Sequence, residues 1–259
     1  MTELEFVDLD AQAITLIQLY GLTFVRCATF VFCVPPFFGR PLPIRMRLVF
    51  AALLAIFASN ASTAEIAIRV ELLTLILQEF VVGFALGFAA SSVLTAFQMA
   101  GSLIGRLAGG SLISSSASDK DSPTTAFYYG TAATLLFATG GHRTVVNALL
   151  MSFQSFPAGT QWTLPNSFDF LCEVLTTSFE FALRVAMPVA LTLLAASIVT
   201  ALAARFVRSF SFFGIGMSFN ASLLVTAMLL ACGLMPILFE LHFESAFELA
   251  TAFLQSIQV

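Results

Sequence analysis

Four charged residues interrupt otherwise apolar stretches, and chemistry would be sought there first: Arg26, Glu79, Glu180 and Arg184. An ionisable side chain in such a run is expensive, so it faces a partner or a watery cavity. One use is a proton or ion relay. Others are an interhelical ion pair, or a long side chain snorkelling to the interface. Pairing or snorkelling is the simpler reading, and the spacing does not assign Arg26 to Glu79. His142 and His242 have no partner motif and read as structural or loop residues. Cys27, Cys33, Cys172 and Cys232 form no CxxC pair, and most lie in apolar runs, where cysteine behaves as a small hydrophobe. Neither a disulfide framework nor a metal site follows from them. With no phosphate loop, zinc motif or nucleophile elbow, the chain reads as non-enzymatic, with no catalytic residue, cofactor or metal.

A different kind of working part is written in the stretch from Gln78 to Ser118. Small residues recur there every four positions, first at Gly83, Gly87, Ser91 and Thr95, then at Gly101, Gly105 and Gly109. Residues four apart share a helix face. Removing bulk from that face lets another helix backbone approach, which is how apolar helices associate within lipid. Glycine is also tolerated generally in membrane helices, but two consecutive stripes point to tight packing. If helical from Phe80 to Ile113, the stretch is roughly 50 Å long, against about 30 Å of hydrocarbon. It must tilt, break, or pack inside a protein assembly. The segment then ends in a Gly-Ser loop, GGSLISSS, from Gly109 to Ser116.

The elements that carry these residues are apolar throughout. With 59% hydrophobic and 10% charged residues, the chain lies far from soluble composition, where charged residues run near 25%. It is expected to be an all-α integral membrane protein. Phenylalanine occurs 29 times against one Trp and three Tyr, so the interfacial belt is thin. A net charge of −4 and the lack of a basic stripe exclude a general nucleic-acid affinity. The acidic start, MTELEFVDLD, is unlike a secretory signal, so none is expected.

About six apolar helical segments follow in order. The first runs from Ala11 to Val34 and stops at Pro35-Pro36, the second from Leu48 to Ala58, and the third begins near Glu71. A fourth, from Thr124, breaks at Gly140-Gly141 and resumes from Thr144 to Phe156. After the turn-forming PAGTQWTLPNS come a fifth run, Phe170 to Ala204 with Pro188 inside, and a sixth, Phe210 to Phe239. The tail from Glu240 reads as an amphipathic helix with Phe243, Phe247, Ala250, Leu254 and Ile257 on one face. Arg40, Arg45, Arg47, Arg106, Lys120, Arg205 and Arg208 fall in alternate links, with only Arg69 on the other side. The positive-inside rule then places those links in the cytoplasm and both termini outside.

Several local patterns occur together in one known family. They are Pro-Pro followed by GRPLPIRMR, QEFVVGFALGF leading into QMAGSLIGRLAGGSL, the GGH at Gly140 to His142, SFQSFPAG, and a basic link before FGIGMSF. In their order and spacing the chain resembles the FliR family of flagellar and injectisome export-gate proteins over roughly residues 10 to 240. The GRPLPIRMR link leans to the flagellar side. The resemblance implies a non-enzymatic, multi-pass subunit of the bacterial inner membrane. It would form part of a cone-shaped gate with several FliP-like and FliQ-like subunits, near FlhB-like and FlhA-like export proteins. Unfolded protein would be its substrate, lipid its surroundings, and nucleic acid no partner. Residues 1–165 would be FliP-like and residues 166–259 a FliQ-like hairpin with the amphipathic tail.

The same resemblance makes Gly109, Gly110, Ser111, Leu112, Ile113, Ser114 and Ser115 the plug of the pore, and Arg205 and Arg208 the cytoplasmic link to a partner. Helix packing falls to Gly83, Gly87, Ser91, Gly101 and Gly105, and the intramembrane charges are Arg26, Glu79 and Arg184. Two departures stand out. The plug is serine-rich beyond Leu112 and Ile113, and VRSFS replaces the family's Pro-Gln pair after Arg205. The competing reading is a small-solute or ion transporter using the intramembrane charges, for which paired broken helices in inverted repeats would be the signature. No convincing duplication is present.

Overall fold

The computed structural model describes residues 2–34, 43–59, 72–108, 122–160, 167–206 and 212–257. The plug positions Gly109 to Ser115 and the link residue Arg208 lie outside the described residues. Within them the chain is all-helical: α1 (Thr2–Cys33), α2 (Ile44–Ser59), α3 (Leu72–Leu107), α4 (Pro123–Ala138), α5 (Gly141–Ser155), α6 (Ser167–Phe206), α7 (Phe212–Cys232) and α8 (Met235–Ile257).

The six apolar runs become eight helices because two of them turn at glycine. At Gly140 the backbone takes φ 74°, a left-handed conformation natural to glycine, and α4 ends where α5 begins. The second break corrects the sequence reading, which carried the sixth run through to Phe239. The helix instead ends at Cys232, turns through Gly233 and Leu234, and restarts at Met235, with a 58° bend between the two pieces. Pro236 explains the position: near a helix start its missing N–H is no loss, whereas further in it would break the ladder. Pro188, by contrast, is accommodated inside the unbroken α6.

The long third run does not break. α3 holds 36 residues in one helix, and most of its apolar window is buried within the protein. Among the described residues, three helices contain stretches long and apolar enough to cross a membrane, Leu16–Cys33, Leu72–Leu107 and Phe168–Leu202, or four if the bent α7–α8 pair forms one span. α2, α4 and α5, at 16, 16 and 15 residues, fall short of the roughly 20 that a span needs.

Two compact units are built from non-contiguous pieces of chain: one from residues 1–91, 140–174 and 246–259, the other from residues 92–139 and 175–245. In the first unit α2 packs on α1, and the residues it buries, Ala51, Ala55, Ala58 and Ser59, are all small, which lets helix axes come close. Phe170 stacks on Phe253 at 4.4 Å between ring centroids, fastening the start of α6 to the end of α8. In the second unit Phe97 of α3 is fully buried against Phe181 of α6 and Phe239 of α8, at 5.3 and 6.0 Å. His242 stacks flat on Phe181 at 4.0 Å. The inward face of α8 is thus Phe239, His242, Ala246, Ala250 and Phe253. That is rotated from the face read from sequence, where Phe243 and Phe247 led; both are only half-buried.

Candidate functional site

Inside the first unit one cluster of polar groups is sealed from solvent. Arg26, on the second half of α1, and Glu79, in the second turn of α3, are 1% and 3% exposed. The Arg26 Nε donates to Glu79 Oε2 at 2.6 Å. Its Nη1 donates to both the carbonyl and the hydroxyl oxygen of Ser152, at 3.1 and 3.2 Å. The other carboxylate oxygen, Glu79 Oε1, accepts from the backbone N–H of Gly159 at 3.2 Å. The guanidinium carbon lies 4.3 Å from the ring centroid of Phe153. Three helices and one turn therefore meet on a single ion pair.

Local sequence explains each contribution. Ser152 is near the end of α5, where its carbonyl accepts the Phe156 N–H at 2.9 Å and keeps a second lone pair for another donor. Its carbonyl accepts Arg26, and its hydroxyl in turn donates to the Leu149 carbonyl at 2.6 Å. Beyond α5, Pro157-Ala158-Gly159-Thr160 forms a turn closed by Thr160 N–H donating to the Pro157 carbonyl at 3.2 Å. Gly159 takes φ 88° at its third position, where such a turn favours glycine. That turn aims the Gly159 N–H at Glu79.

The small residues of α3 bring the partners within reach. A side chain at Gly83 would meet the Arg26 carbonyl oxygen, and one at Gly87 would lie 2.7 Å from Cys33 Cβ and 2.9 Å from the Phe30 carbonyl. Bare backbone here is what lets α1 lie against α3. Ser91 is half-buried with its hydroxyl bonded to the Phe88 carbonyl, and Thr95 is exposed. Positions four apart drift about 40° per step on a helix of 3.6 residues per turn. The stripe therefore rotates away from α1 after its first two members.

In the second unit Gly101 and Gly105 face the start of α4. A Cβ on Gly101 would stand 2.9 Å from the Thr124 carbonyl and from Thr125 Cα, and one on Gly105 2.8 Å from the Ser122 hydroxyl. Tyr128 is buried beside them with no partner for its hydroxyl among the described residues, and burial pushes its phenol up to about 12. It stays neutral.

Arg184 belongs to another setting. It pairs with Glu180 on its own helix at 3.6 Å, and both side chains are about two-thirds exposed, 66% and 63%. Arg205 is exposed near the end of α6. Sequence reasoning did not single out Ser152, Phe153 or Gly159 as partners of the charges. The available signal was the SFQSFPAG segment itself, a serine and an aromatic ahead of a proline-glycine turn.

What this arrangement does chemically is hold, not transfer. Both carboxylate oxygens and two guanidinium nitrogens are engaged, and neither residue reaches water. A proton relay needs a group that exchanges with solvent or a neighbour of matched affinity. A closed, hydrogen-bonded pair instead fixes register between helices.

The profile of the family described as bacterial export proteins, family 1, matches residues 17–246. Among curated proteins, the flagellar biosynthetic protein FliR of Aquifex aeolicus is 27% identical over 241 residues, covering 91% of this chain and 93% of the relative. FliR of Escherichia coli is 28% identical over 232 residues, 88% of each chain. FliR of Bacillus subtilis is 26% identical over 214 residues, covering 79% and 82%. The matched span contains Arg26, Glu79, Ser152, Gly159 and all the small residues described above.

Proposed function

Because the chain belongs to the family of bacterial export proteins, family 1, we propose that it is a structural, non-enzymatic subunit of the flagellar protein export gate in the bacterial inner membrane. The family match across residues 17–246 is the observation that carries this reading. The helices support it. α3 is long enough to cross a bilayer yet mostly covered by protein, as suits a packing spine, and the buried Arg26–Glu79 pair is closed rather than poised for transport.

In this reading residues 1–165 form a FliP-like part and residues 166–259 a FliQ-like hairpin. FliP-like and FliQ-like subunits complete a pore for unfolded export substrates, with FlhB-like and FlhA-like proteins on the cytoplasmic side near Arg205 and Arg208. Gly109 to Ser115 close the pore at rest, with Leu112 and Ile113 forming a dry constriction of the kind that gates by dewetting.

The test is a deletion of the gene in its own host. Loss of flagellar substrate in the medium and loss of swimming, both restored by the wild-type chain, are the expected results. Normal export in the deletion strain, or purification of a uniform solute-transporting species without FliP-like and FliQ-like partners, would sink the reading.

A further inference from the structure

α5 has two unlike faces. Gly141, Val145, Leu149, Ser152 and Phe153 are buried, whereas Arg143, Thr144, Asn147, Met151, Gln154 and Ser155 are exposed. At 3.6 residues per turn the exposed set falls within an arc of about 120°, on the side away from the buried set. Met151 is the one apolar residue in it. Among the described residues no hydrogen bond or ion pair engages the side chains of the others. Thr144 and Ser155 do not bond back to their own helix, as Thr23, Thr29 and Ser152 do.

The depth of this helix is fixed by the ion pair. The Ser152 carbonyl accepts from Arg26, which lies about 10 Å or more inside either end of the apolar stretch Leu16–Cys33. Just beyond α5, Gly159 donates to Glu79, about 10 Å inside the Leu72 end of α3. Gln154 and Ser155 stand within about 5 Å of the Ser152 level along the helix axis. At the level of Glu79, α3 turns Leu77 and Phe80 outward, 53% and 49% exposed. At one depth, then, the first unit presents an apolar face on α3 and a polar one on α5.

Hydrocarbon suits the α3 face and not the α5 face, where every guanidinium and amide group would be left without a partner. A helix from another subunit would have to match a guanidinium, two amides and two hydroxyls in register. Water satisfies all of them with no matching. Polar side chains at membrane depth face such water-filled space.

We infer that the outer face of α5 is the wall of a water-filled cavity at membrane depth. Asn147, Gln154 and Ser155 offer hydrogen bonds that exchange with water. The cavity follows from α5 and its contacts alone; that unfolded polypeptide passes along it rests on the export reading.

The experiment places Gln154→Cys, Ser155→Cys or, on the apolar face, Leu77→Cys in the full chain carrying Cys172→Ser, which removes the exposed native thiol. Membrane vesicles holding the assembly are treated with a small charged methanethiosulfonate, and separately with a polyethylene-glycol maleimide too bulky to enter a cavity. Gln154→Cys and Ser155→Cys should react with the small reagent on the order of 100-fold faster than Leu77→Cys, because a thiol reacts as its thiolate and hydrocarbon suppresses ionisation. Both should resist the bulky reagent. Slow reaction at all three positions would put α5 under lipid or a partner helix and overturn the cavity. Rapid reaction with the bulky reagent would make the face an open surface and overturn it equally. Hydroxyl-radical footprinting of the unaltered chain keeps the test open if a cysteine variant fails to fold. Met151 on the polar face and Met187 on α6 are 64% and 55% exposed. Oxidation several-fold greater at Met151 supports the cavity, and equal protection of the two refutes it. Fast small-reagent labelling in a chain whose deletion leaves export intact would uphold the cavity and remove only its cargo.

Discussion

Glu79 illustrates how a charge is kept inside a bundle of apolar helices. The carboxylate is desolvated, and what compensates it is one guanidinium at 2.6 Å and one backbone N–H at 3.2 Å. Removing one member leaves the other charged and buried, which costs about 3–5 kcal/mol, whereas replacing both with apolar groups is often neutral or better. Glu79→Leu should therefore lower the thermal midpoint of the purified assembly sharply, and Arg26→Met/Glu79→Leu should recover most of the loss. If the double variant is as unstable as the single, the pair is not acting as a closed structural unit. Glycines separate in the same way by what a Cβ would meet. Gly83→Ala pushes into the Arg26 carbonyl and should cost about 1–3 kcal/mol. Gly130→Ala meets nothing within 4 Å on a helix and should be neutral or stabilising by up to about 1 kcal/mol. Equal effects of the two substitutions on the unfolding midpoint would show that the α1–α3 approach does not depend on bare backbone. The identities of the two charges were legible in the sequence, because ionisable residues stand out in apolar runs. Their pairing was not, since 53 positions separate them and the partner serine is 126 positions from Arg26.

At the scale of elements, breaks were easier to read than faces. The Gly140 turn was visible because glycine interrupts an otherwise continuous run, and its left-handed backbone gives it a measurable consequence. Gly140→Ala meets no atom within 4 Å, so its cost is conformational alone, about 1–2 kcal/mol. Denaturant unfolding should show this shift with no change in slope; an unaffected midpoint would mean the turn relaxes freely. The turn at Gly233 was missed because hydropathy stays high across it, and only Pro236 marks a helix start there. Faces failed for a geometric reason. A stripe drawn at every fourth residue turns steadily around the helix, so Gly83 and Gly87 meet α1 whereas Thr95 is exposed. On α8 the buried line runs through Phe239, His242 and Ala246, with Phe243 and Phe247 beside it and only half-buried.

For the whole molecule, the export reading makes the segment from Gly110 to Ser115 a seal rather than a scaffold. Its deletion should leave the assembly intact but leaky to small ions in a conductance assay, and a deletion complex as tight as the parent would refute the plug. Composition and the order of apolar runs determined, without coordinates, that this is a helical membrane protein, and the family patterns along them pointed to export. Those properties are local: hydropathy, helix-breaking residues and short motifs depend on neighbours within a few positions. Tertiary structure decided the rest. It joined residues 1–91 with 140–174 and 246–259 in one unit, matched Arg26 to Glu79, and brought the Ser152 carbonyl and the Gly159 N–H to them. An apolar helix offers many nearly equivalent faces to its neighbours. The choice among them rests on close approach at glycine and on satisfying every buried polar group, both of which exist only once distant segments meet.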